Sequence, residues 1–306
     1  MVLLFSLSPS VASLRRTFFG FDTFIEVELP KQHASLFSEI ARLVRQYDTL
    51  WNRFASESLV ARINTSHLWI PLDDETFFLL KEAFVLSEKT RGMFCPLVGG
   101  LMDLWGFPAG PRIPDPRDIE RELQVIQEST IMFDEGRKAV IRIGDAKLDL
   151  GGIAKGYFVD LLAKFLKEKG VKRFLINAGG TVFGAGKTWE VGILHPRKEG
   201  LLGKIQVRDL CVSTSGDYFR FFEKNGKRYH HILNPKSGYP GETFVSVTVA
   251  APQGILADVL STAIMAGDEA FLSCVFMEFP EVAILAVRRD GSIVLSPRMR
   301  GLFSDE

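Results

Sequence analysis

The order of the predicted secondary-structure elements is the feature that most constrains the fold of this 306-residue chain. Apolar residues recur at steps of three and four, which predicts helices at residues 33–54, 74–89, 115–127, 153–169, 255–266 and 268–279. Short β-like segments predict strands at residues 18–29, 130–133, 139–143, 147–150, 174–177, 189–194, 203–207, 210–213, 230–233, 243–250, 282–287 and 292–295. Strand and helix do not alternate strictly. The pattern therefore favours an α+β fold, with antiparallel sheets and paired helices packed on one face.

The N-terminal segment and the charge balance set expectations for the domain organisation and the partners. We expect one domain over residues 18–306, with two subdomains as the alternative, behind an N-terminal arm or signal remnant over residues 1–17. Residues 2–7 are apolar and residues 10–12 resemble a cleavage site, although no Lys or Arg precedes Arg15. The 37 basic residues balance 37 acidic ones, so we expect no nucleic-acid partner.

Two adjacent glycines mark a turn from a strand-like segment into a helix. Gly151 and Gly152 follow Leu148-Asp149-Leu150, and Lys155 comes just after them. A helix N-terminus presents unpaired N–H groups and a partial positive charge, so it binds phosphates readily. The spacing matches neither the P-loop nor the dinucleotide-binding fingerprint. From these residues alone, a phosphate site and a tight turn with a solvent-facing lysine remain equally open.

Two histidines, His230 and His231, stand before a proline–glycine turn. Adjacent residues of a strand point to opposite faces, so at most one of them faces a given site. One interpretation is a histidine that contacts a phosphate or relays a proton. The other is one buried, hydrogen-bonded ring and one exposed ring.

Asp258 and Thr262 lie four residues apart in a predicted helix and therefore share a face. A carboxylate with a hydroxyl suits Mg²⁺, which prefers hard oxygen ligands. Taken alone, an ordinary helix-start Asp with a Thr bonded back to a carbonyl is the favoured explanation.

Two more strand ends are candidates for ligand contact. Ser215 and Asp217 follow a predicted strand, where their polar groups fit either a ligand edge or a simple turn. Asn177 precedes Gly179 and Gly180, and glycines allow close approach of a ligand to the backbone.

Taken together, these segments resemble the ApbE-type FAD:protein FMN transferases, in the same order along nearly the whole chain. The matching segments are residues 54–64 (Y-x-x-x-S-x-x-S-x-x-N in the family), 92–107 (G-x-F-D-P…L-W-G-F), 149–160 (D-L-G-G-I-A-K-G-Y-x-x-D), 177–180 (N-x-G-G), 231–240 (H-I-x-x-P-x-[ST]-G-x-P) and 257–262 (A-D-x-x-S-T). Four residues depart from the family pattern: Phe54 replaces Tyr, Cys95 replaces Asp, Gly100 replaces Pro and Thr181 replaces Asp.

The resemblance implies a T-fold-related α+β protein that uses FAD as substrate. With Mg²⁺, it would transfer FMN to a Thr or Ser hydroxyl of an acceptor protein and release AMP. The implied metal ligands are the side chains of Asp258 and Thr262 and the carbonyl of Ala154. His231 would relay the acceptor proton, with Asp217 as a weaker candidate, and Lys155 would stabilise the diphosphate. The implied FAD-binding residues are Phe54, Gly151, Gly152, Ile153, Ala154, Gly156, Asn177, Gly179, Gly180, Ser215 and Asp217.

Two other functions remain open at this stage. The same site would serve a pyrophosphatase that hydrolyses FAD to FMN and AMP. A non-catalytic FAD-binding protein is the third candidate, but it would not need Lys155, His231, Asp258 and Thr262 together. The resemblance and the apolar N-terminus predict a location on the periplasmic side of the inner membrane, with membrane association.

Overall fold

A computed structural model describes residues 13–107 and 110–305 of the chain. Within them the helices are α1 (Leu36–Trp51), α2 (Leu59–Thr65), α3 (Asp74–Lys89), α4 (Gly99–Trp105), α5 (Pro116–Gln127), α6 (Ala154–Glu168), α7 (Gly254–Ala266), α8 (Glu269–Glu278) and α9 (Pro297–Arg300). A short 3₁₀ helix spans Lys31–His33. No helix in the described ranges is long and apolar enough to cross a bilayer.

The strands of the described chain are short, and all of them lie in antiparallel sheets. They are β1 (Ser13–Gly20), β2 (Thr23–Pro30), β3 (Ile70–Pro71), β4 (Thr130–Asp134), β5 (Ala139–Ile143), β6 (Phe174–Ala178), β7 (Thr181–Ala185), β8 (Trp189–Leu194), β9 (Leu201–Val207), β10 (Leu210–Gly216), β11 (Phe221–Lys224), β12 (Lys227–His230), β13 (Phe244–Ala251), β14 (Ala283–Arg288), β15 (Ile293–Leu295) and β16 (Phe303–Asp305).

One large antiparallel sheet organises the fold. Its strand order is β1-β2-β6-β7-β10-β13-β14-β15. The helices α6 and α7 pack against each other and against the middle of this sheet, α6 on β6 and β7, α7 on β7, β10 and β13. Side chains alternate along each strand, so Val247 and Val249 of β13 join the helix-facing core, whereas Val245 joins a separate cluster on the other face.

A smaller sheet covers that other face. Its order is β16-β9-β8, and its Val191 and Ile205 share a buried cluster with Val212 and Leu285 of the large sheet. The paired helices α6 and α7 therefore occupy one face, as the sequence pattern predicts, whereas Met299 of the short helix α9 joins the cluster on the other face. Both faces of the central strands are buried, and β13 has no exposed residue.

Two further units flank the large sheet. The strands β3, β5 and β4 form a three-stranded sheet, and β11 pairs with β12 in a hairpin. A separate apolar cluster joins Leu101 and Trp105 of α4 to Ile119 of α5 and to Leu233, which follows β12. This cluster supports the chain around His231.

Most predicted elements are confirmed, and α3 has the predicted bounds. Its N-cap is Asp73, whose carboxylate accepts a hydrogen bond from the Thr76 N–H. The predicted strand at residues 18–29 is a hairpin, β1 and β2, that begins at Ser13, inside the predicted arm. Residues 1–12, on which the prediction of a signal remnant mainly depends, lie outside the described residues.

Two predicted strands are wrong. Residues 147–150 form no ladder, because their backbone groups bond to Gly99, Pro96 and the side chain of Asn64 instead. The strand predicted at residues 230–233 ends at His230 and begins earlier, at Lys227. Leu233 makes only an isolated bridge, to Pro240.

Candidate active site

The glycine turn before α6 leaves two backbone amides without a partner. The Gly151 N–H donates to Asp149 Oδ1 at 2.8 Å, and the Ala154 N–H donates to the Leu150 carbonyl. The N–H groups of Gly152 and Lys155 have no acceptor among the described residues. These two amides, at a helix N-terminus, are the groups of this turn that remain free for an anion.

The helices α6 and α7 cross at two glycines. A Cβ added to Gly156 would lie 2.2 Å from the Gly254 carbonyl oxygen, and one added to Gly254 would lie 2.4 Å from that of Gly156. Only glycine allows this backbone approach. The crossing brings the start of α6 against the face of α7 that carries Asp258.

Asp258 is buried, and each of its carboxylate oxygens accepts one hydrogen bond. The Gly156 N–H donates to Oδ2 at 2.9 Å, and the Ser213 hydroxyl of β10 donates to Oδ1 at 3.1 Å. Gly156 was expected to offer its N–H to a diphosphate; the structure directs this N–H to Asp258. Each carboxylate oxygen keeps a further lone pair for another ligand.

The lysine that follows the turn lies beside this carboxylate without bonding to it directly. Lys155 Nζ is 3.7 Å from Asp258 Oδ2 and 3.1 Å from the Gly151 carbonyl oxygen, to which it donates. Its side chain is about three-quarters buried, at 24% exposure. The ammonium group can therefore pair with Asp258 or with an anion at the turn.

Thr262 lies one turn after Asp258 and faces the same glycine turn. A Cβ added to Gly152 would lie 3.4 Å from Thr262 Oγ1, so the two segments are in contact. The Ser215 hydroxyl of β10 lies 3.5 Å from Thr262 Oγ1 and 3.0 Å from Ser261 Oγ. The structure thus brings the predicted residues Lys155, Ser215, Asp258 and Thr262 together with the turn.

Asp160 of α6 holds the start of α7. Its two carboxylate oxygens accept the N–H groups of Gly254 and Ile255 at 2.6 and 2.9 Å. Burial raises the pKa of this carboxyl to about 6, although both hydrogen bonds act in the opposite direction. The sequence shows Asp160 only as the last residue of a motif; in the structure it caps the helix that carries Asp258.

The chain that enters the glycine turn is anchored from α2 and from the end of α1. The Asn64 side chain bonds both the N–H and the carbonyl of Leu148. Arg53 is buried, with Nε 2.8 Å from Asp149 Oδ2, and its guanidinium stacks 4.4 Å from the ring centre of Phe54. Phe54 itself is 63% exposed, so one ring face is supported and the side chain is open to a ligand.

The two histidines have different environments. His230 is buried; its Nε2–H donates to the Gly241 carbonyl and its Nδ1 accepts the Ile232 N–H. His231 is half-buried, and its Nδ1 lies 3.2 Å from the Arg220 carbonyl oxygen. This bond places the proton on Nδ1 and leaves the Nε2 lone pair free.

Charge and burial keep the His231 ring neutral. Desolvation lowers the pKa of His231 well below its usual value, and the charges of Arg220, His230 and Lys155 act in the same direction. The contribution of Lys155 is the smallest of these. Trp105 supports the loop that follows, because its Nε1–H donates to the Gly238 carbonyl at 2.8 Å.

Two of the predicted binding residues are engaged elsewhere. Asn177 pairs with Val182, on the sheet face opposite to α7, and its side-chain oxygen accepts the Gly180 N–H within the β6–β7 turn. Asp217 is buried and makes a bidentate ion pair with Arg197, at 2.7 and 2.5 Å. A carboxylate held in this way is a poor proton relay. Cofactor contacts by these two residues and by Gly179 and Gly180 stay predictions.

Ser213 is the site residue that sequence analysis underestimated. The sequence predicts it only as the last residue of the strand at residues 210–213, yet its hydroxyl contacts Asp258 directly. The signal available in the sequence was the alternation along β10, which puts Ser213 and Ser215 on one face.

No group of three or more His, Cys, Asp or Glu side chains in the described ranges could hold a metal ion. A surface cavity of about 400 Å³, lined by Lys167, Lys172 and Asp209 among others, shares no residue with this site.

Fold and site together define an α+β protein whose free amides, lysine and buried carboxylate meet where two helices cross. The model of the ApbE family matches residues 21–284. The FAD:protein FMN transferase of Klebsiella pneumoniae (strain 342) is 31% identical over 92% of this chain and 90% of its own length. That of Treponema pallidum (strain Nichols) is 32% identical over 84% and 78%. The crystal structure of the ApbE protein from Thermotoga maritima superimposes with a TM-score of 0.87 at 31% identity, covering 94% of this chain and 98% of that one.

The chain belongs to the ApbE family.

Proposed function

We propose that this chain transfers FMN from FAD to a Thr or Ser hydroxyl of an acceptor protein, with Mg²⁺, and releases AMP. Its family and the activity named for its relatives support the proposal. The observation that carries it is the meeting of the free Gly152 and Lys155 amides, the Lys155 ammonium and the buried Asp258 carboxylate. Cleavage of a diphosphate mainly needs charge neutralisation and positioning, which such groups supply.

The residues present fit a magnesium ion. Asp258 is a buried carboxylate with free lone pairs, and its nearest cation, Lys155 Nζ, is beyond hydrogen-bond distance at 3.7 Å. Thr262 and Ala154 add a hydroxyl and a carbonyl on the facing segments, a set of hard oxygen donors. Bound there, Mg²⁺ would neutralise negative charge on the diphosphate.

The diphosphate of FAD would lie at the start of α6. The N–H groups of Gly152 and Lys155 donate to phosphate oxygens, and the Lys155 ammonium turns from Asp258 towards them. The exposed ring of Phe54, backed by the Arg53 guanidinium, offers an aromatic face to the isoalloxazine ring.

His231 would accept the proton of the acceptor hydroxyl. The hydroxyl oxygen attacks the phosphorus on the FMN side, the bond to the bridging oxygen breaks, AMP leaves, and the hydroxyl proton passes to Nε2. The free lone pair on Nε2 suits this role. A bound anionic diphosphate raises the pKa of the ring from its lowered value, because negative charge favours the imidazolium form.

The test is to incubate the protein with FAD, Mg²⁺ and a candidate acceptor domain, then to weigh the acceptor and assay AMP. We expect an acceptor heavier by one FMN less one water, together with AMP. AMP and free FMN with an unmodified acceptor would favour the pyrophosphatase. Bound FAD without AMP would contradict both enzymatic functions.

A matched pair of histidine variants tests the relay. His231→Ala should lose transfer by about 100-fold to 10,000-fold while FAD binding is retained, the usual contribution of a general base. His67→Ala is the control, since the His67 side chain is 62% exposed and lies outside the site. Full transfer by His231→Ala would refute the relay.

The export and membrane association predicted from the apolar N-terminus are also proposals. Cell fractionation of the 306-residue chain tests them, with a variant that lacks residues 1–12 as control.

A further inference from the structure

A chain of three buried side chains runs from the large sheet to the Asp258 carboxylate. The Ser213 hydroxyl of β10 lies 3.1 Å from Asp258 Oδ1, and the Thr181 hydroxyl of β7 lies 3.0 Å from Ser213 Oγ. Thr181, Ser213 and Asp258 are only 1, 2 and 3% exposed. At such burial these bonds are shielded from bulk solvent, which strengthens them.

The direction of the two hydrogen bonds follows from the chemistry of the groups. An ionised carboxylate only accepts, so Ser213 must donate its single proton to Asp258. Ser213 Oγ is then an acceptor, and the Thr181 hydroxyl donates to it. The dipoles of the two hydroxyls align towards the negative charge, and each bond strengthens the next.

The two hydroxyls act on one oxygen of the Asp258 carboxylate, while α6 acts on the other. The Gly156 N–H donates to Oδ2 from the opposite side. The carboxylate plane is therefore fixed by one donor from the sheet and one from the helix. Rotation of the Asp258 side chain would break at least one bond and leave a buried donor without a partner.

We propose that Ser213 and Thr181 are positioning residues that orient the Asp258 carboxylate for the metal ion. The inference rests on the proposed function, in which Asp258 binds Mg²⁺. Thr181 also stands where the family commonly has Asp. In this chain the neutral Thr181 hydroxyl supports Ser213 from β7.

The strand β10 offers a matched control. Thr214, next to Ser213, makes the same kind of hydroxyl pair, with Thr248 Oγ1 of β13 at 2.9 Å. This pair lies on the opposite face of the sheet, because neighbouring strand residues point in opposite directions. Thr214→Val removes a cross-strand hydroxyl bond without touching the carboxylate.

The first measurement is metal binding without FAD. Mn²⁺ serves as the probe, and the free ion is counted by electron paramagnetic resonance. We expect Ser213→Ala to raise the Kd for Mn²⁺ by about 10-fold to 100-fold, as is typical when a group that orients a metal ligand is removed. Thr181→Val should raise the Kd by less, Thr181→Ser should restore it, and Thr214→Val should leave it within about twofold of wild type.

Kinetics supply the second readout. With Ser213→Ala the Mg²⁺ concentration for half-maximal rate should rise, while kcat at saturating Mg²⁺ stays close to that of wild type. Wild-type Mn²⁺ affinity in both Ser213→Ala and Thr181→Val would overturn the inference. An equal loss in Thr214→Val would also overturn it, since only general sheet stability would then be at work.

One further variant separates the inference from the proposed function. Asp258→Asn should abolish Mn²⁺ binding. If wild type and Asp258→Asn bind Mn²⁺ equally, the proposed metal site fails, and this inference fails with it. If Asp258→Asn loses binding but Ser213→Ala and Thr181→Val do not, only the positioning role is refuted.

Discussion

The crossing of α6 and α7 gives the strongest prediction of stability. In Gly156→Ala the added Cβ would lie 2.2 Å from the Gly254 carbonyl oxygen and 2.7 Å from Asp258 Cβ. Ordinary contact begins at 3.4 Å, so the helices must separate by about 1.2 Å. Both closest atoms belong to α7, and the carbonyl oxygen cannot swing aside as the end of a long side chain could.

The expected change in the free energy of unfolding combines two losses and one gain. Overpacking costs about 1–3 kcal/mol. Alanine recovers about 1 kcal/mol through its higher helix propensity. Separation of the helices weakens the bond from the Gly156 N–H to the Asp258 carboxylate, and bonds to charged groups contribute about 1.5–3 kcal/mol. We expect a net loss of about 2–4 kcal/mol in the free energy of unfolding, which lowers Tm by roughly 3–6 °C for a chain of this length.

Urea denaturation of Gly156→Ala measures the loss of stability, and Mn²⁺ titration of the same samples measures the effect on the Asp258 carboxylate. Gly136→Ala is the control, because Gly136 is exposed and an added Cβ would meet only Asp134 Oδ1 within 4 Å, at an ordinary contact distance of 3.5 Å. It should unfold within about 0.5 kcal/mol of wild type. If Gly156→Ala unfolds at the wild-type urea concentration and binds Mn²⁺ normally, the close helix crossing described here is refuted.

Two further predictions concern the loop that carries His231. Burial lowers the pKa of His230, so its contribution to stability is present above the unfolded-state value of about 6.5 and is lost as pH falls below it. Thermal denaturation between pH 7.5 and 5.5 measures this loss. The free energy of unfolding of wild type should fall by up to about 1.4 kcal/mol per pH unit more than that of His230→Gln. An equal pH dependence of the two proteins would contradict the prediction. Trp105→Phe removes the bond to the Gly238 carbonyl. This substitution should lower the free energy of unfolding by about 1–3 kcal/mol and slow flavin transfer without changing the affinity for Mn²⁺. A changed Mn²⁺ affinity would contradict the view that the loop and the metal site are separate.

The sequence predicts well those elements whose signals are local. The bounds of α3 follow from the Asp73 cap and the apolar spacing within the segment itself. The helix α4 escaped prediction because it begins with two glycines, and its stability comes from the packing of Leu101 and Trp105 rather than from propensity. The strand β7 also escaped, since it directly follows a glycine turn and is buried along its whole length.

The site shows the same division between local and distant information. Apolar periodicity places Asp258 and Thr262 on one face of α7, and the glycines place an anion-binding turn before α6. The contact of Ser213 with Asp258 joins residues 45 positions apart and depends on how α7 packs on β10. No pattern within either segment encodes that distance, so only the assembled fold reveals it.

The structure also changes the interpretation of the motif at residues 149–160. In the segment from Asp149 to Asp160, the groups expected to bind the diphosphate are the Gly152 amide and the amide and ammonium of Lys155. Asp149 holds the turn, Gly156 allows the helix crossing and Asp160 caps α7. A variant of any of these three would lose activity although none needs to touch FAD. Metal affinity and the free energy of unfolding, measured on the same variant, separate the two roles. A substitution of a residue that only contacts the ligand leaves the free energy of unfolding unchanged. A substitution of a residue that holds the helices together changes both the metal affinity and the free energy of unfolding.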